Sequence, residues 1–382
     1  MERHKYQLVF LGGYAGHKEK VERVLSQRLD GLKCGSSYLR VLCGSREAEK
    51  VRRNNPVVYV YFAGKDVTPD SLYVDSLVEE GRGCVLPVIQ KGQSFGVLPQ
   101  SLRDINSFRI MDIEDTDCLA DCILNEFGLL WNTCRVFISY KRSDSSAVAE
   151  QLYMKLKQAC YDVFIDVCDI RKGRILRDEI GHSLADSDIM LLLDTEGISA
   201  SEWVREELSK VGRLQVAVLQ LVWPRCTPAT GVLGETMLLA DDDFEDGKEE
   251  LKEVPLKNIV HEIREIRIAN LSSRRNNLVL PLKKAAGQLS IKVCWSPHQF
   301  FIVDGRKKKA LCFPVSRVPQ ATSYEALFRR AAELYPDISE IRLLYDKLYI
   351  KREWLSHLSF LDGYLPVKSI EKEEVKSWLS TL

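Results

Sequence analysis

The chain of 382 residues is long enough for two or three domains of ordinary size. It is 45% hydrophobic and 28% charged, as globular proteins are, and equal numbers of acidic and basic residues give a formal net charge of zero. This balance gives no reason to expect nucleic acid or an anionic membrane as a partner. No apolar run approaches the roughly 20 residues that span a bilayer, so we expect no membrane segment.

The start of the chain and the cysteines both predict a cytoplasmic protein. The first five residues are charged and are followed by only a short apolar run, so we expect no secretory signal. The eleven cysteines are scattered, with Cys84, Cys134 and Cys312 inside apolar strands. There is no C-x-x-C pair and no histidine cluster at ligand spacing. We therefore expect reduced core cysteines and no bound metal.

Residues 1–131 predict an N-terminal α/β domain. Strand-like apolar runs alternate with helical patterns, at 7–11, 38–42, 57–62, 85–89 and 108–111. A glycine-rich turn at 12–16 follows the first strand, where a phosphate could bind. Its spacing matches neither the dinucleotide fingerprint nor the P-loop, so a tight turn between strand and helix is the favoured interpretation.

The central segment repeats this alternation. Short apolar runs predict strands at 136–140, 163–165, 189–193 and 216–222. Helical spacing between them predicts a parallel sheet with right-handed crossovers. Ligands of such sheets bind outside the carboxyl ends of the strands. Tyr140, Lys141, Arg142 and Asp166 all follow strand ends and are therefore candidates for a binding site.

Three motifs in this segment carry a family resemblance. They are Phe137–Tyr140, then Phe164–Asp166 with a basic turn at 171–173, then the W-x-x-x-E pattern that runs from Trp203 to Glu207. In order and spacing they resemble the TIR (Toll/interleukin-1 receptor) domain. The resemblance covers residues 133–275 and is closest to the NAD-cleaving TIR enzymes of prokaryotic immune systems.

The resemblance implies a flavodoxin-like fold and a set of site residues. Glu207, and not Glu206, matches the family's catalytic glutamate. The residues implied to surround the NAD+ substrate are Ser139, Tyr140, Lys141 and Arg142 on the nicotinamide and phosphate side, Asp166 and Ile175 on the loop side, and Trp203 beside Glu207. Ile175 departs from the larger or aromatic residue that the family often has there, which implies a weaker stacking contact.

A single carboxylate suits the implied reaction. Cleavage of the nicotinamide–ribose bond passes through an oxocarbenium-like state, and the cationic leaving group needs no general acid. A glutamate that accepts hydrogen bonds from the ribose hydroxyls stabilises that state. The predicted function is therefore an NAD+ glycohydrolase or cyclase, with NAD+ as substrate and no separate cofactor. Its products would be nicotinamide and ADP-ribose or a cyclic isomer, and its role antiphage or immune defence.

Two other functions stay open. The first is a non-catalytic scaffold or adaptor that acts by self-association of TIR domains, as the resemblance also implies. A scaffold has no need for a carboxylate at Glu207, so this residue discriminates between the two. The second is an effector whose flanking domains sense an unknown trigger, or act on a downstream partner, and control the centre.

The N-terminal domain resembles a degenerate copy of the central one. Strand 57–61 parallels 189–193, and the run 81–89 parallels 212–222. When Tyr73 is laid on Trp203, Leu77 falls opposite Glu207. Such a copy would lack the catalytic glutamate.

Residues 288–382 predict a small α+β domain of unknown role. A hairpin with an Asp-Gly turn at 304–305 precedes a basic run at 306–309, which we interpret as an exposed hairpin tip. Before this domain, the acidic segment 241–250 predicts a solvated loop. A helix with Ile259 and Ile263 on one face is expected to close the central domain near 272–275.

Overall fold

The protein forms two compact units in a computed structural model, residues 1–132 with 295–299, and 133–294 with 300–382. The structure describes residues 5–52, 55–64, 68–90, 92–110, 113–130, 134–159, 161–165, 176–196, 198, 202–246 and 249–382.

The first unit is built on a parallel five-stranded sheet. Its strands are β1 (Tyr6–Gly12), β2 (Leu39–Cys43), β3 (Val57–Phe62), β4 (Cys84–Gln90) and β5 (Phe108–Ile110). Its α-helices within the described residues are α1 (Lys18–Gly31), α2 (Gly44–Ala48), α3 (Pro69–Glu79) and α4 (Ile113–Glu126). The strand order is β2-β1-β3-β4-β5, and every pair is parallel.

The second unit begins with another parallel sheet. Its strands are β6 (Arg135–Ser139), β7 (Asp162–Ile165), β8 (Ile189–Asp194), β9 (Ala217–Val222) and β10 (Glu235–Leu238). The accompanying helices are α5 (Arg142–Gln158), α6 (Leu176–Ala185), α7 (Glu202–Leu214) and α8 (Glu253–Gln288). The order β10-β9-β8-β6-β7 is that of the first sheet read from its other edge.

The predicted α/β class with a flavodoxin-like central sheet is confirmed. In β8 all six residues are buried, and β9 is buried from its second residue onward. A parallel sheet covered by helices on both faces favours such largely apolar strands. The buried polar residues Asp194 of β8 and Gln220 of β9 satisfy each other, since the Gln220 amide donates to Asp194 Oδ2 over 2.6 Å. The equal strand order of the two sheets shows a shared architecture, and the descent of the first from a TIR domain stays a hypothesis.

The third sheet lies in the C-terminal part of the chain. Its strands are β11 (Lys292–Trp295), β12 (Phe301–Asp304), β13 (Lys309–Pro314), β14 (Glu340–Tyr345) and β15 (Val367–Glu371), and its helices are α9 (Ala321–Leu334), α10 (Arg352–Tyr364) and α11 (Val375–Thr381). Strands β12 and β13 form the predicted antiparallel hairpin, whose basic run is exposed. Strands β13, β14 and β15 are parallel, and helices connect them.

Helix α8 links the second and third sheets. It runs for 36 residues and includes Pro281. The predicted end of this helix near 272–275 is wrong, because apolar and arginine side chains on its buried face continue the packing to Ala285 and Ala286. The predicted domain boundary at 275 stays a prediction, and it falls within this helix.

A buried ionic cluster fixes α8 and the segment after β13 to the start of β8. The Asp188 carboxylate is 2% exposed. Arg267 of α8 donates to its Oδ2 over 3.1 Å, Arg317 donates to its Oδ1 over 2.9 Å, and the Arg135 backbone N–H donates over 3.2 Å. Burial by itself raises the pKa of Asp188, but Arg317 and Arg267 more than offset it and hold that pKa well below its usual range.

We predict that Asp188→Asn lowers the free energy of unfolding by about 3 kcal/mol or more, because two buried guanidinium groups lose their counter-ion. Urea unfolding at neutral pH measures the loss. Asp241→Asn, which breaks the exposed pair with Arg225, serves as a control that changes stability little.

The pH dependence gives a second readout of this prediction. A depressed native pKa contributes stability above the unfolded-state value near 4 and loses it as the pH falls further. The difference between wild type and Asp188→Asn should therefore be constant above about pH 5 and shrink below about pH 4. A difference that does not change with pH would contradict the ionic account.

Candidate active site

The carboxyl end of β6 meets the buried face of α7. Ser139 is the last residue of β6 and pairs with Leu192 of β8. On α7 the buried positions include Val204, Glu207 and Val211, which recur at helical spacing and pack toward the sheet. Glu207 thus occupies a position at which an amphipathic helix normally has an apolar residue.

The Glu207 carboxylate is held close to the strand end. The residue is 1% exposed, and the Ser139 hydroxyl donates to its Oε2 over 2.6 Å. A hydrogen bond of this length to a carboxylate is of the short, charge-assisted kind. Burial of an ionised carboxylate costs free energy that its hydrogen bonds must offset. A carboxylate retained at such a position is therefore a candidate functional group.

The two adjacent glutamates have different surroundings. Glu206 is partly exposed, and its Oε1 lies 3.1 Å from Lys210 Nζ one turn further along α7. Glu207 faces Ser139 instead. The assignment of the catalytic role to Glu207 stays a prediction, but of the two it is Glu207 that the helix turns toward the sheet.

The three residues that follow Ser139 have different surroundings. Tyr140 is partly buried and packs on the core formed by β6, α5 and α8. Lys141 is 44% exposed, and its Nζ lies 2.6 Å from the Asp144 carboxylate. The hydrogen bonds from Lys141 and then Ser143 lower the pKa of Asp144. Arg142 begins α5 and is exposed.

Three other predicted site residues lie wholly or partly outside the described residues. Asp166 and Ile175 lie outside the described residues. The backbone of Trp203 belongs to the first turn of α7, and its side chain lies outside the described part. The contact of Trp203 with Glu207 therefore stays a prediction.

Two further polar residues at this edge were missed from the sequence. Thr195 directly follows β8 and is 5% exposed, and its hydroxyl lies 3.5 Å from the Asp144 carboxylate in the first turn of α5. The loops after β6 and β8 therefore approach each other. The rule that ligands bind beyond the carboxyl ends of parallel strands could have identified Thr195, because it is the first residue after β8.

The corresponding edge of the first unit is different. Leu77 of α3 is the residue that falls opposite Glu207 when Tyr73 is aligned with Trp203, and it is fully buried in the apolar core. Asp70, at the start of α3, accepts from the backbone N–H of Gly12 over 2.9 Å and of Ser45 over 2.7 Å. The two carboxylate oxygens thus bind the end of β1 and the first turn of α2, and we assign Asp70 a structural role.

Metal sites and membrane-spanning helices are two further features that bear on function. Within the described ranges, no group of three or more His, Cys, Asp or Glu residues is arranged to hold a metal ion. The same part of the chain has no helix both long and apolar enough to cross a bilayer.

Comparison with protein families identifies the central segment. Residues 136–251 match the family model described as the TIR domain. The chain contains a TIR domain. The match runs from β6 to the loop before α8, and so it includes both Ser139 and Glu207.

Other comparisons add little to this assignment. No curated protein matches the chain. Among solved structures, the TIR domains of the activated Roq1 resistosome are 13% identical, with 37% of this chain and 84% of that chain covered and a TM-score of 0.24. The tagatose-6-phosphate ketose/aldose isomerase of Escherichia coli is 11% identical, with 71% and 82% covered and a TM-score of 0.19. Proximal thread matrix protein 1 from the mussel byssus is 9% identical, with 70% and 97% covered and a TM-score of 0.21. Scores this low carry no argument about function.

Stability measurements can separate a functional Glu207 from a structural one. We predict that Ser139→Ala lowers the free energy of unfolding by about 1–3 kcal/mol, because a buried carboxylate loses a donor. Glu207→Gln should leave stability unchanged or raise it, since it removes a buried charge and keeps the volume. Urea unfolding of both variants tests this. A larger loss in Glu207→Gln than in Ser139→Ala would assign Glu207 to the fold.

Proposed function

We propose that the TIR domain cleaves NAD+ at the nicotinamide–ribose bond, with Glu207 as the catalytic carboxylate. The observation that carries the proposal is the Glu207 side chain, which is buried at the carboxyl end of β6 and held by Ser139 at 2.6 Å. A TIR domain with a carboxylate at this place has the group that the reaction requires. The position of this carboxylate beyond the carboxyl end of a parallel strand, where such folds bind ligands, supports the proposal.

The reaction needs a negative charge beside the ribose. As the glycosidic bond breaks, positive charge develops on the ribose ring, and a fixed carboxylate stabilises that charge in a dry environment more than water does. Ser139 would orient the Glu207 carboxylate so that its oxygens can accept from the ribose hydroxyls. Nicotinamide leaves as a neutral molecule. Attack by water then gives ADP-ribose, and attack by a group of the substrate itself gives a cyclic isomer.

The exposed cations at the same edge would contact the remainder of the substrate. Lys141 and Arg142 follow β6 directly, and both are exposed. A dinucleotide carries two phosphate charges, which such cations attract. Because Lys141 is paired with Asp144, binding of the pyrophosphate would compete with this exposed ion pair at small cost.

Access to Glu207 is the step that we expect to limit the reaction. At 1% exposure, the carboxylate reaches a ribose only after the groups that cover it are displaced. We therefore infer that the isolated chain turns over NAD+ slowly. Self-association of TIR domains, or a trigger that acts through the flanking parts of the chain, would open the site. This behaviour suits a defence enzyme, in which uncontrolled NAD+ loss would harm the cell.

We predict that Glu207→Gln lowers NAD+ turnover by a factor of about 100 or more, in line with removal of a main electrostatic contact. Glu206→Gln is the matched control, since it changes the neighbouring residue on the same helix and should keep most of the activity. Turnover is measured by chromatography of nicotinamide released by concentrated protein, with and without a crowding agent that promotes assembly.

Equal losses in both variants would refute the role of Glu207. If no wild-type preparation releases nicotinamide while light scattering shows assembly, assembly alone does not open the site, and a TIR scaffold becomes the favoured function. Circular dichroism of each variant establishes that the protein is folded.

A further inference from the structure

A second site lies at the opposite end of α7 from the Ser139 edge. A cavity of about 140 Å³ opens at the carboxyl end of this helix, where Arg213 and Gln215 line it. Its other walls are α8 with Arg274, the segment after β13 with Ser316, and the residues after β14 and β15. Arg213 is six residues from Glu207, or about 9 Å along the helix axis. The cavity is therefore distinct from the proposed active site.

The C-terminal sheet places this cavity where a parallel sheet binds ligands. Strands β13, β14 and β15 are parallel and end at Pro314, Tyr345 and Glu371. The cavity wall contains the residues that come directly after these ends, at 315–318, 346 and 372. Crevices outside the carboxyl ends of parallel strands are the usual ligand sites of such sheets.

The wall of the cavity is strongly cationic. Arg213, Arg274, Arg317 and Lys372 line it, against the single carboxylate of Asp346. Lys372 forms an ion pair with Asp346, so these two charges cancel. Arg317 and Arg267 both contact the Asp188 carboxylate. Cationic side chains therefore outnumber carboxylates in the wall of the cavity.

Arg274 contributes the most unusual of these charges. It is 6% exposed, and its two terminal nitrogens donate to the carbonyl oxygens of Ser187, over 2.7 Å, and Ser316, over 2.6 Å. No carboxylate of the described residues forms an ion pair with Arg274, and Asp188 and Asp346 act on it only at longer range. Burial lowers the pKa of its guanidinium to about 10. A buried cation that is bonded to neutral carbonyls and lines a cavity favours an anion there.

Arg213 supplies a charge at the mouth of the cavity. It is exposed, and its described hydrogen bond goes to the Tyr349 hydroxyl over 3.4 Å, a neutral partner. Arg213 therefore stays available to bind an anion without first losing a carboxylate. Gln215 and Asn277 also line the wall, where the Asn277 amide donates to Gln215 Oε1.

We propose that this cavity is a binding site for the phosphate group of a small ligand, with Arg213 and Arg274 as its main contacts. Arginine binds phosphate oxygens with two parallel hydrogen bonds, which the planar guanidinium geometry favours. The volume is close to that of a cavity of about 150 Å³ that holds one small molecule. It accommodates one phosphate, with any attached sugar or nucleoside projecting past Arg213.

The site joins two parts of the second unit. Arg274 belongs to α8, Ser316 follows β13, and Ser187 precedes β8 of the TIR sheet. An anion here would compensate Arg274 and stabilise the contact between these segments. Binding should therefore raise the midpoint of thermal unfolding in proportion to ligand concentration. The proposal does not rest on NAD+ cleavage.

The test is a titration of the full chain with inorganic phosphate, ribose 5-phosphate and AMP, followed by thermal unfolding and by calorimetry. Sodium chloride at matched ionic strength is the ionic control. We expect saturable binding in wild type, and about tenfold weaker binding in Arg213→Gln. Because Arg213 is exposed, this variant should fold. Arg274→Lys, which keeps the charge and loses the planar fork, should weaken binding to a similar degree.

Arg329→Gln is the matched control, since Arg329 is 78% exposed on α9, away from the cavity wall. It should bind as wild type does. Tighter binding of ribose 5-phosphate or AMP than of phosphate would identify a phosphorylated sugar or nucleotide as ligand, and equal affinities would identify free phosphate. The proposal is overturned if chloride reproduces the stabilisation, if none of the three ligands binds, or if Arg213→Gln binds as well as Arg329→Gln does.

Discussion

The Asp188 carboxylate is the constraint on which the second unit most depends. It lies directly before β8, the middle strand of the TIR sheet, and it binds arginines from α8 and from the segment after β13. Removal of such a charge from water is costly, and Arg317 and Arg267 more than offset that cost. The requirement for compensation fixes the position of α8 and of the C-terminal sheet relative to β8.

This arrangement gives the two ends of the TIR sheet different roles. At the amino end of β8, Arg267 and Arg317 compensate the charge of Asp188 and connect α8 and the segment after β13 to the strand. At the carboxyl ends of β6 and β8, Ser139 and Thr195 lie near acidic groups, and the Glu207 carboxylate is buried at some cost to stability. Helix α7 extends from one end to the other, with Glu207 in its first half and Arg213 near its last turn. A ligand bound beside Arg213 would therefore contact the same rigid helix that carries the proposed catalytic residue.

Much of the fold follows from local sequence patterns. Strands β8 and β9 are largely apolar runs, which favours burial on both faces of a sheet, and their prediction is confirmed. Strand β10 was missed because it is a short edge strand with three of its four residues exposed. Helix α10 was missed although Trp354, Leu358 and Leu361 recur at helical spacing, because exposed apolar residues such as Phe360 and Tyr364 widen the pattern beyond one face.

The sites depend on contacts that local patterns do not contain. Asp188 and Arg317 are 129 residues apart, and no spacing rule connects them. Glu207 occupies an ordinary helical position. Its catalytic role was predicted only because it occurs together with Trp203 and the Phe137–Tyr140 motif. The structure adds the contact with Ser139, 68 residues away. The phosphate cavity combines residues from 185 to 372, and so only the fold could reveal it.

The identity of the product tests the central claim most directly. NAD+ incubated with concentrated, assembled protein in water labelled with ¹⁸O is analysed by mass spectrometry. Our account predicts free nicotinamide together with an intact ADP-ribose unit, which carries one ¹⁸O atom if it is linear and none if it is cyclic. Cleavage to nicotinamide mononucleotide and AMP, or unchanged NAD+ in the presence of assembled protein, would contradict it.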